Sequence, residues 1–464
     1  MLLIGAGPAG IASALSLSLH AVPQGVEVEI TIFDYKSSLG GRLVRPSKHS
    51  QYYLYAEDVA AGNLLASGIL RERAEVIKDE VGKKDIASGV REVGVFDGNG
   101  MAAQFKRPIS ETGWVSWLGL VLKYGASIWR AKVLPTGTMA RWDRLLALIQ
   151  KGRYASVDEM VEIGGMADTI SLSAKERLGK NGIGEIYSKE VVAPQLLRQL
   201  GQEVEEISDL ALSMALEREN QILAAGMNAG SFEKMMALFV KKSKASLRLQ
   251  TRITGIRREG EEWVLGIDGA EEEVFDKVII AAPWNTSSLL HQQDLEVYYR
   301  PVWVTFLVTE KKLDPVYFKT SSVPDQILPI QGPGQVKELE GIHEIAFLRT
   351  IFGPDLAPTS VKYLYRVLSS NQMSKLATTF EDAGVVDMVE EEIVNAYPLL
   401  YPRSQSEILG KFEIGDGLWH TTIAESLASN IDWSWVVGEN VGRLVGNQIK
   451  LEGKTKMGEK VNID

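Results

Sequence analysis

Leu2-Leu3-Ile4-Gly5-Ala6-Gly7-Pro8-Ala9-Gly10 decides the reading of this chain. Its three apolar residues read as a short buried strand. Gly5-x-Gly7-x-x-Gly10 then reads as a tight turn opening into a small-residue helix over 11–19. Each glycine answers a separate steric need. Gly5 permits the turn, Gly7 lets a diphosphate approach the backbone, and Gly10 lets helix and strand pack closely. Pro8 and Ala9 belong to the same diphosphate-facing turn. The helix start offers unpaired N–H groups and the positive end of its dipole to an anion.

Working outward, β-branched residues alternate over 26–33 and read as a second strand that ends at Asp34. An acid at this point accepts hydrogen bonds from a ribose diol, a charge-assisted contact of roughly 1.5–3 kcal/mol. Strand, glycine turn, helix, strand and terminal acid in one register define a Rossmann-type unit of an α/β fold. Leu39-Gly40-Gly41-Arg42 follows the acid. Its two glycines allow a second close backbone approach, and Arg42 can neutralise the diphosphate from the other side. NAD dehydrogenases have no need of that segment, so the cofactor reads as FAD.

Composition excludes much else. The chain has 464 residues, 45% apolar and 24% charged, which is ordinary for a globular protein and unlike a disordered or fibrous one. It has no cysteine. That excludes disulfides, thiolate zinc sites, iron–sulfur clusters, cysteine nucleophiles and a cysteinyl-linked cofactor. A net charge of −10 opposes contact with phosphate backbones, so nucleic acid is not expected as a partner. The five histidines (His20, His49, His291, His343, His420) show no metal-ligand spacing. No apolar run is long enough to span a bilayer. Only Met1-Leu2-Leu3-Ile4 precedes the glycine turn, with no visible signal peptide, and the expectation is either that the protein begins there or that a leader was removed or missed.

Further along, 114–200 reads as mostly helical. Residues 247–275 read as a small strand meander turning near Gly255, Gly260 and Gly269. A buried strand over 278–282 is stopped by Pro283. Residues 302–308 and 363–368 read as strands of a second sheet, and the chain closes with a helix over 435–451. The expected organisation is two interleaved domains. An FAD-binding domain takes 1–75, 214–300 and 405–464, and a mixed-sheet plus helical substrate domain takes 76–213 and 301–404. The substrate is expected at their junction, beside the flavin.

An ordered series of short motifs narrows the reading. It runs Val93-Gly94-Val95-Phe96-Asp97-Gly98, Trp114-Val115-Ser116-Trp117, Lys123-Tyr124-Gly125-Ala126-Ser127, Trp129-Arg130 and Glu190-Val191-Val192-Ala193-Pro194. It continues with Asn228-Ala229-Gly230-Ser231-Phe232, Val302-Trp303-Val304-Thr305-Phe306, Tyr363-Leu364-Tyr365-Arg366 and Asp416-Gly417-Leu418-Trp419, ahead of Glu425. With the two glycine motifs, this series resembles the prenylcysteine oxidase (prenylcysteine lyase) family, its fungal-type members in particular, within the amine-oxidase-like flavoproteins. The resemblance implies an FAD-dependent thioether oxidase. In that family hydride passes from the prenyl carbon bonded to sulfur to the flavin, and water addition gives a prenyl aldehyde and free cysteine. O2 then reoxidises the flavin to hydrogen peroxide. The implied partners are a prenylated cysteine, or a similar apolar molecule, and O2. An amine-oxidase or desaturase activity on another apolar substrate stays open, as does non-catalytic prenyl binding. The resemblance also points to a secretory or lysosomal–vacuolar route.

Four more positions follow from the resemblance. Ala61 and Gly62, within Glu57-Asp58-Val59-Ala60-Ala61-Gly62-Asn63, stand where the family runs beside the flavin ring. Ile253 stands on a strand whose backbone meets the adenine, and Glu425 ahead of the final helix. His420, next to Trp419, is either a proton acceptor at the ring or a structural histidine. Trp114, Trp117, Tyr124 and Trp129 line an isoprenoid tunnel, pack in a helical core, or form a surface patch that would contact a membrane.

Overall fold

In the computed structural model, residues 1–21, 28–42, 91–107, 111–220, 229–283, 297–332, 336–351, 361–373, 377–404 and 407–456 are described. Their first strands are β1 (Leu2–Ile4), β2 (Thr31–Phe33), β3 (Arg91–Phe96), β4 (Met101–Arg107), β5 (Ser246–Arg248), β6 (Ile253–Glu259), β7 (Glu262–Ile267) and β8 (Glu273–Phe275). After them come β9 (Val278–Ile280), β10 (Tyr299–Thr309), β11 (Gln326–Pro329), β12 (Ile342–Ile351), β13 (Lys362–Ser369), β14 (Val385–Pro398), β15 (Glu413–Gly415) and β16 (Leu418–His420).

β1 is buried along its whole length, as a continuous apolar strand covered on both faces must be. It lies at the centre of a sheet ordered β15-β16-β9-β1-β2-β5, in which all pairings are parallel except β15 with β16. The loops after β1, β2, β9 and β16 therefore leave from one edge, the edge where doubly wound sheets bind their ligands. The second strand is shorter than its sequence pattern. Only Thr31–Phe33 pairs, because β1 offers three residues to pair with, and residues 28–30 lie outside the strand. Ser246–Arg248 joins this sheet beside β2 and does not belong to the meander. The meander is a separate antiparallel sheet of β6, β7 and β8 that turns at Gly260 and Gly269.

Helix α1 (Pro8–Ser16) follows the glycine turn and runs on into a single π turn, Leu17–Ala21. Between it and the end of the chain come α2 (Trp114–Tyr124), α3 (Ser127–Val133), α4 (Thr136–Lys151) and α5 (Ala193–Leu200), so the helical reading of 114–200 holds. The final helix, α6 (Ile431–Lys456), starts earlier than expected. Asn430 caps it, its side-chain oxygen accepting from the Trp433 N–H at 2.7 Å.

α6 lies against α1 at backbone distance. A Cβ on Gly438 would stand 2.2 Å from the Ala9 carbonyl oxygen, and one on Gly442 would stand 2.6 Å from that of Ser13. The Ser13 hydroxyl donates to the carbonyls of Ala9 (2.8 Å) and Gly438 (3.0 Å), and the Ser16 hydroxyl donates to that of Glu439 (2.9 Å). Trp435 stacks near Phe239 and Trp433 near Trp142 of α4, so α4 shares one core with α1 and α6.

The second sheet is ordered β14-β10-β13-β12-β11-β3-β4 and is mixed, because β11 pairs parallel with β3. The expected strands over 302–308 and 363–368 are neighbours in it, β10 and β13. Beneath it sits a buried charge cluster. Glu344 of β12 accepts from the Arg366 guanidinium at 2.6 and 3.1 Å and from the Gln326 amide, with Arg198 of α5 at 4.0 Å. Burial raises the Glu344 carboxyl, but the two guanidiniums outweigh it and hold the group below the usual range.

Candidate cofactor site

The glycine turn between β1 and α1 is shaped by missing side chains. Gly5 has φ +110°, and a Cβ there would stand 2.8 Å from the Ala281 carbonyl oxygen at the end of β9. A Cβ on Gly10 would stand 2.0 Å from the carbonyl oxygen of Gly5. Both positions are glycine because the turn folds onto itself and onto β9. The turn is tied down by Gly5 N–H donating to Phe33 (2.8 Å) and Ala281 N–H donating to Ile4 (2.7 Å).

Gly7 differs. Its backbone is extended (φ −83°, ψ 178°), and among the described residues a Cβ there would meet only Gly41, Cα at 3.6 Å and N at 3.9 Å, which is ordinary contact. The packing of the described residues does not require glycine there. Gly41, in the left-handed region at φ +68°, faces it, and Gly40 (φ +110°) donates its N–H to the Ala6 carbonyl at 3.1 Å. The two glycine segments are thus clasped together. Pro8 occupies the first turn of α1, and the Gly7 cap brings no side-chain acceptor to the helix start.

Asp34 is buried at the end of β2. One carboxylate oxygen accepts from the Ala6 N–H (2.7 Å) and the other from the Lys36 N–H (2.9 Å). Each oxygen keeps a lone pair for another donor. Thr251 donates its N–H to the Asp34 carbonyl and Gln250 to that of Lys36, both at 2.9 Å, which sets the segment leading into β6 and Ile253 beside the acid. A helix start without a side-chain cap, a bare backbone at Gly7 and Gly41, and an oriented carboxylate fit a dinucleotide.

A family model described as prenylcysteine lyase matches residues 109–459. The chain belongs to that family. It is similar to farnesylcysteine lyase of Arabidopsis thaliana, 23% identical, with 96% of this chain and 87% of the relative covered. Among solved structures it is similar to cyclohexylamine oxidase from Brevibacterium oxydans, with TM-score 0.55, 12% identity, and 97% and 99% of the two chains covered. It is similar in the same degree to the CLA-producing fatty acid isomerase from P. acnes, with TM-score 0.55, 13% identity, and 97% of each chain covered. This member of the prenylcysteine lyase family is an FAD-dependent oxidoreductase on a Rossmann-type α/β fold.

In this family member Arg42 reaches across to a distant segment. Its guanidinium pairs with Glu425 at 2.6 Å and donates weakly, at 3.4 Å, to the carbonyls of Asn395 and Ala396 on β14. Glu425, on the short 3-10 turn Thr422–Ser426, also accepts from the Tyr299 hydroxyl at 2.8 Å. Burial, and then the charge of Glu425, push the Tyr299 phenol well above its ordinary range, so it stays protonated and donating. Arg42, Glu425 and Tyr299 join the first sheet's edge to β10 and β14 of the second. Tyr299 was not singled out from sequence, because only its contact 126 residues away gives it a part.

His420 closes β16 and is fully buried, with Nε2 2.9 Å from the Thr422 hydroxyl. Burial pushes its pKa down to about 3. The aromatic group of 114–129 divides. Tyr124 is buried and donates to Glu190 at 2.7 Å, Trp117 is half-buried, and Trp114 and Trp129 are exposed. Trp117 and Trp129 meet edge to face with centroids 5.8 Å apart, while Tyr124 lies in the core. Ala61 and Gly62 lie outside the described residues, as do His49, His291 and residues 225–228. Gly438 and Gly442 were also missed, and their four-residue spacing in a helix was the available signal.

Proposed function

We propose that this family member oxidises a prenyl thioether of the farnesylcysteine kind, with O2 as the terminal electron acceptor. The observation that carries the reading is the family match across residues 109–459, supported by the similarity to a farnesylcysteine lyase. FAD, when bound, supplies the acceptor for a hydride from the carbon attached to sulfur and the means to pass electrons to O2. The chain's own residues bind and position. In the proposal Gly5, Gly7, Pro8, Ala9 and Gly10 admit the diphosphate to the start of α1, with Gly40 and Gly41 closing over it. Asp34 accepts the ribose hydroxyls, and Ile253 borders the adenine. Arg42, held by Glu425, adds positive charge beside the diphosphate.

The substrate is assigned to the junction of the two sheets, which Arg42, Glu425 and Tyr299 already bridge. This places it between an FAD domain built from 1–75, 214–300 and 405–464 and a substrate domain built from 76–213 and 301–404. A histidine with a pKa near 3 is a weak base, so the proposal gives His420 a positioning part at the end of β16 and not the role of proton acceptor. Aerobic incubation of flavin-loaded protein with farnesylcysteine tests the reading. The expected products are a prenyl aldehyde, free cysteine and hydrogen peroxide. Flavin-loaded protein that yields neither aldehyde nor peroxide would overturn the substrate and favour another apolar molecule.

A further inference from the structure

β10 and β14 pair with a shift of register at their shared end. Arg300 stands opposite Tyr397 and Val302 opposite Ile393, so one residue of β10, Pro301, faces residues 394–396 of β14. Proline has no N–H to give to a carbonyl across the ladder. In this bulge the carbonyls of Asn395 and Ala396 take the Arg42 guanidinium instead, Nη1 lying 3.4 Å from each. Bulges re-aim nearby side chains. Tyr299, two residues before Pro301, donates its hydroxyl to Glu425 Oε2 at 2.8 Å, and Arg42 Nη2 donates to Glu425 Oε1 at 2.6 Å. The segment after β2, the turn after β16 and the ends of β10 and β14 thus meet at one guanidinium.

Each oxygen of the buried Glu425 carboxylate therefore has its own donor, and its pair with Arg42 uses one nitrogen and one oxygen. A guanidinium carries five N–H donors in a fixed fork, so a one-point pair leaves it able to hold a second anion. Without the phenol, Glu425 can turn its second oxygen onto the same guanidinium. A two-point pair of that kind would draw the fork away from a diphosphate. We infer that Tyr299 is a positioning residue for the cofactor: through Glu425 it sets Arg42, and so links FAD binding to the seating of β10 and β14 on the first sheet. Such linkage is reciprocal, so bound FAD should in turn fasten this end of the second sheet. The inference rests on the proposed place of Arg42 beside the diphosphate, and not on which thioether the enzyme oxidises.

FAD titration of the full-length wild type, Tyr299→Phe, Arg42→Ala and the double variant tests it. Tyr299→Phe should weaken FAD binding at least about fivefold. In the Arg42→Ala background the same change should alter affinity by less than about twofold, because the group it acts through is gone. Hydrogen–deuterium exchange supplies a second readout. In the wild type, bound FAD should slow exchange over residues 297–302 and 393–398 as well as over the glycine turn. In FAD-saturated Tyr299→Phe the first protection should be lost and the second kept. Unchanged affinity in Tyr299→Phe, beside a weakened Arg42→Ala, would overturn the inference alone, and so would equal losses in both backgrounds. Wild-type affinity in Arg42→Ala would overturn it together with the place of Arg42 at the diphosphate. Should Arg42→Ala not fold, the Tyr299→Phe titration and the exchange decide. Wild-type exchange over 297–302 and 393–398 that FAD leaves unaltered would overturn the linkage.

Discussion

At Gly10 a methyl group would stand 2.0 Å from a backbone oxygen of its own turn, while at Gly7, three residues earlier, it would rest 3.6 Å from the Cα of Gly41. The two glycines belong to one motif and answer to different partners. Gly10, with Gly5, Gly438 and Gly442, is bare so that the protein can pack on itself. Among the described residues Gly7 is bare without any such need, and a bare backbone at a helix start suits a diphosphate. A second contrast lies in the other sheet. There close packing gives way to charge, with Glu344 buried among Arg366, Arg198 and Gln326.

The largest effect is expected from Gly10→Ala. The added carbon cannot be accommodated without moving β1 from α1, and the loss should be about 4 kcal/mol or more, together with the bound flavin. Thermal unfolding checks this, and a variant with wild-type Tm would break the contrast between the glycines. Next comes Glu344→Ala. Removing one partner of a buried pair leaves the guanidinium uncompensated, at a cost of about 3–5 kcal/mol. Glu344 lies on the second sheet and not on the one that carries the glycine turn, so its loss should leave the flavin affinity of the folded protein unchanged, which separates lost stability from lost binding. A drop in FAD affinity equal to that of a glycine variant would blur the two regions.

Acid should act next. Burial lowers His343 to about 4, with help from the Arg300 charge, and His420 to about 3, from an ordinary value of 6.5. Below pH 6.5 the unfolded chain takes up protons that the folded chain refuses, so stability falls as pH falls. By pH 4 each histidine should remove about 3 kcal/mol. Urea titrations across that range check the slope, and a His343→Gln, His420→Gln variant should show a shallower one. An unchanged slope would contradict the burial of both rings.

Much of the nucleotide-binding unit was legible because its signals are local. β1, the turn, α1 and Asp34 lie within a few tens of residues, and each glycine there has a steric reason that sequence spacing expresses. What was not legible is what joins distant segments. Nothing near Arg42 announces Glu425, and nothing in β11 announces its parallel pairing with β3, because such contacts leave no periodicity. The approach of α6 to α1 had a local sign in Gly438 and Gly442, but the sign does not name its partner. The face of α2 shows the same limit from the other side. Its arc of Trp114, Val115, Leu118 and Leu122 could be read from spacing, while its exposure could not, because exposure is set by how distant segments pack.

FAD titration of Gly7→Ala tests the central claim, that the bare backbone between Gly7 and Gly41 holds the cofactor. The substituted protein should fold with a Tm within error of the wild-type apoprotein, since among the described residues the methyl group makes only ordinary contact. It should bind FAD at least about tenfold more weakly, equivalent to about 1.4 kcal/mol. Wild-type affinity for FAD in a folded Gly7→Ala protein would contradict the account.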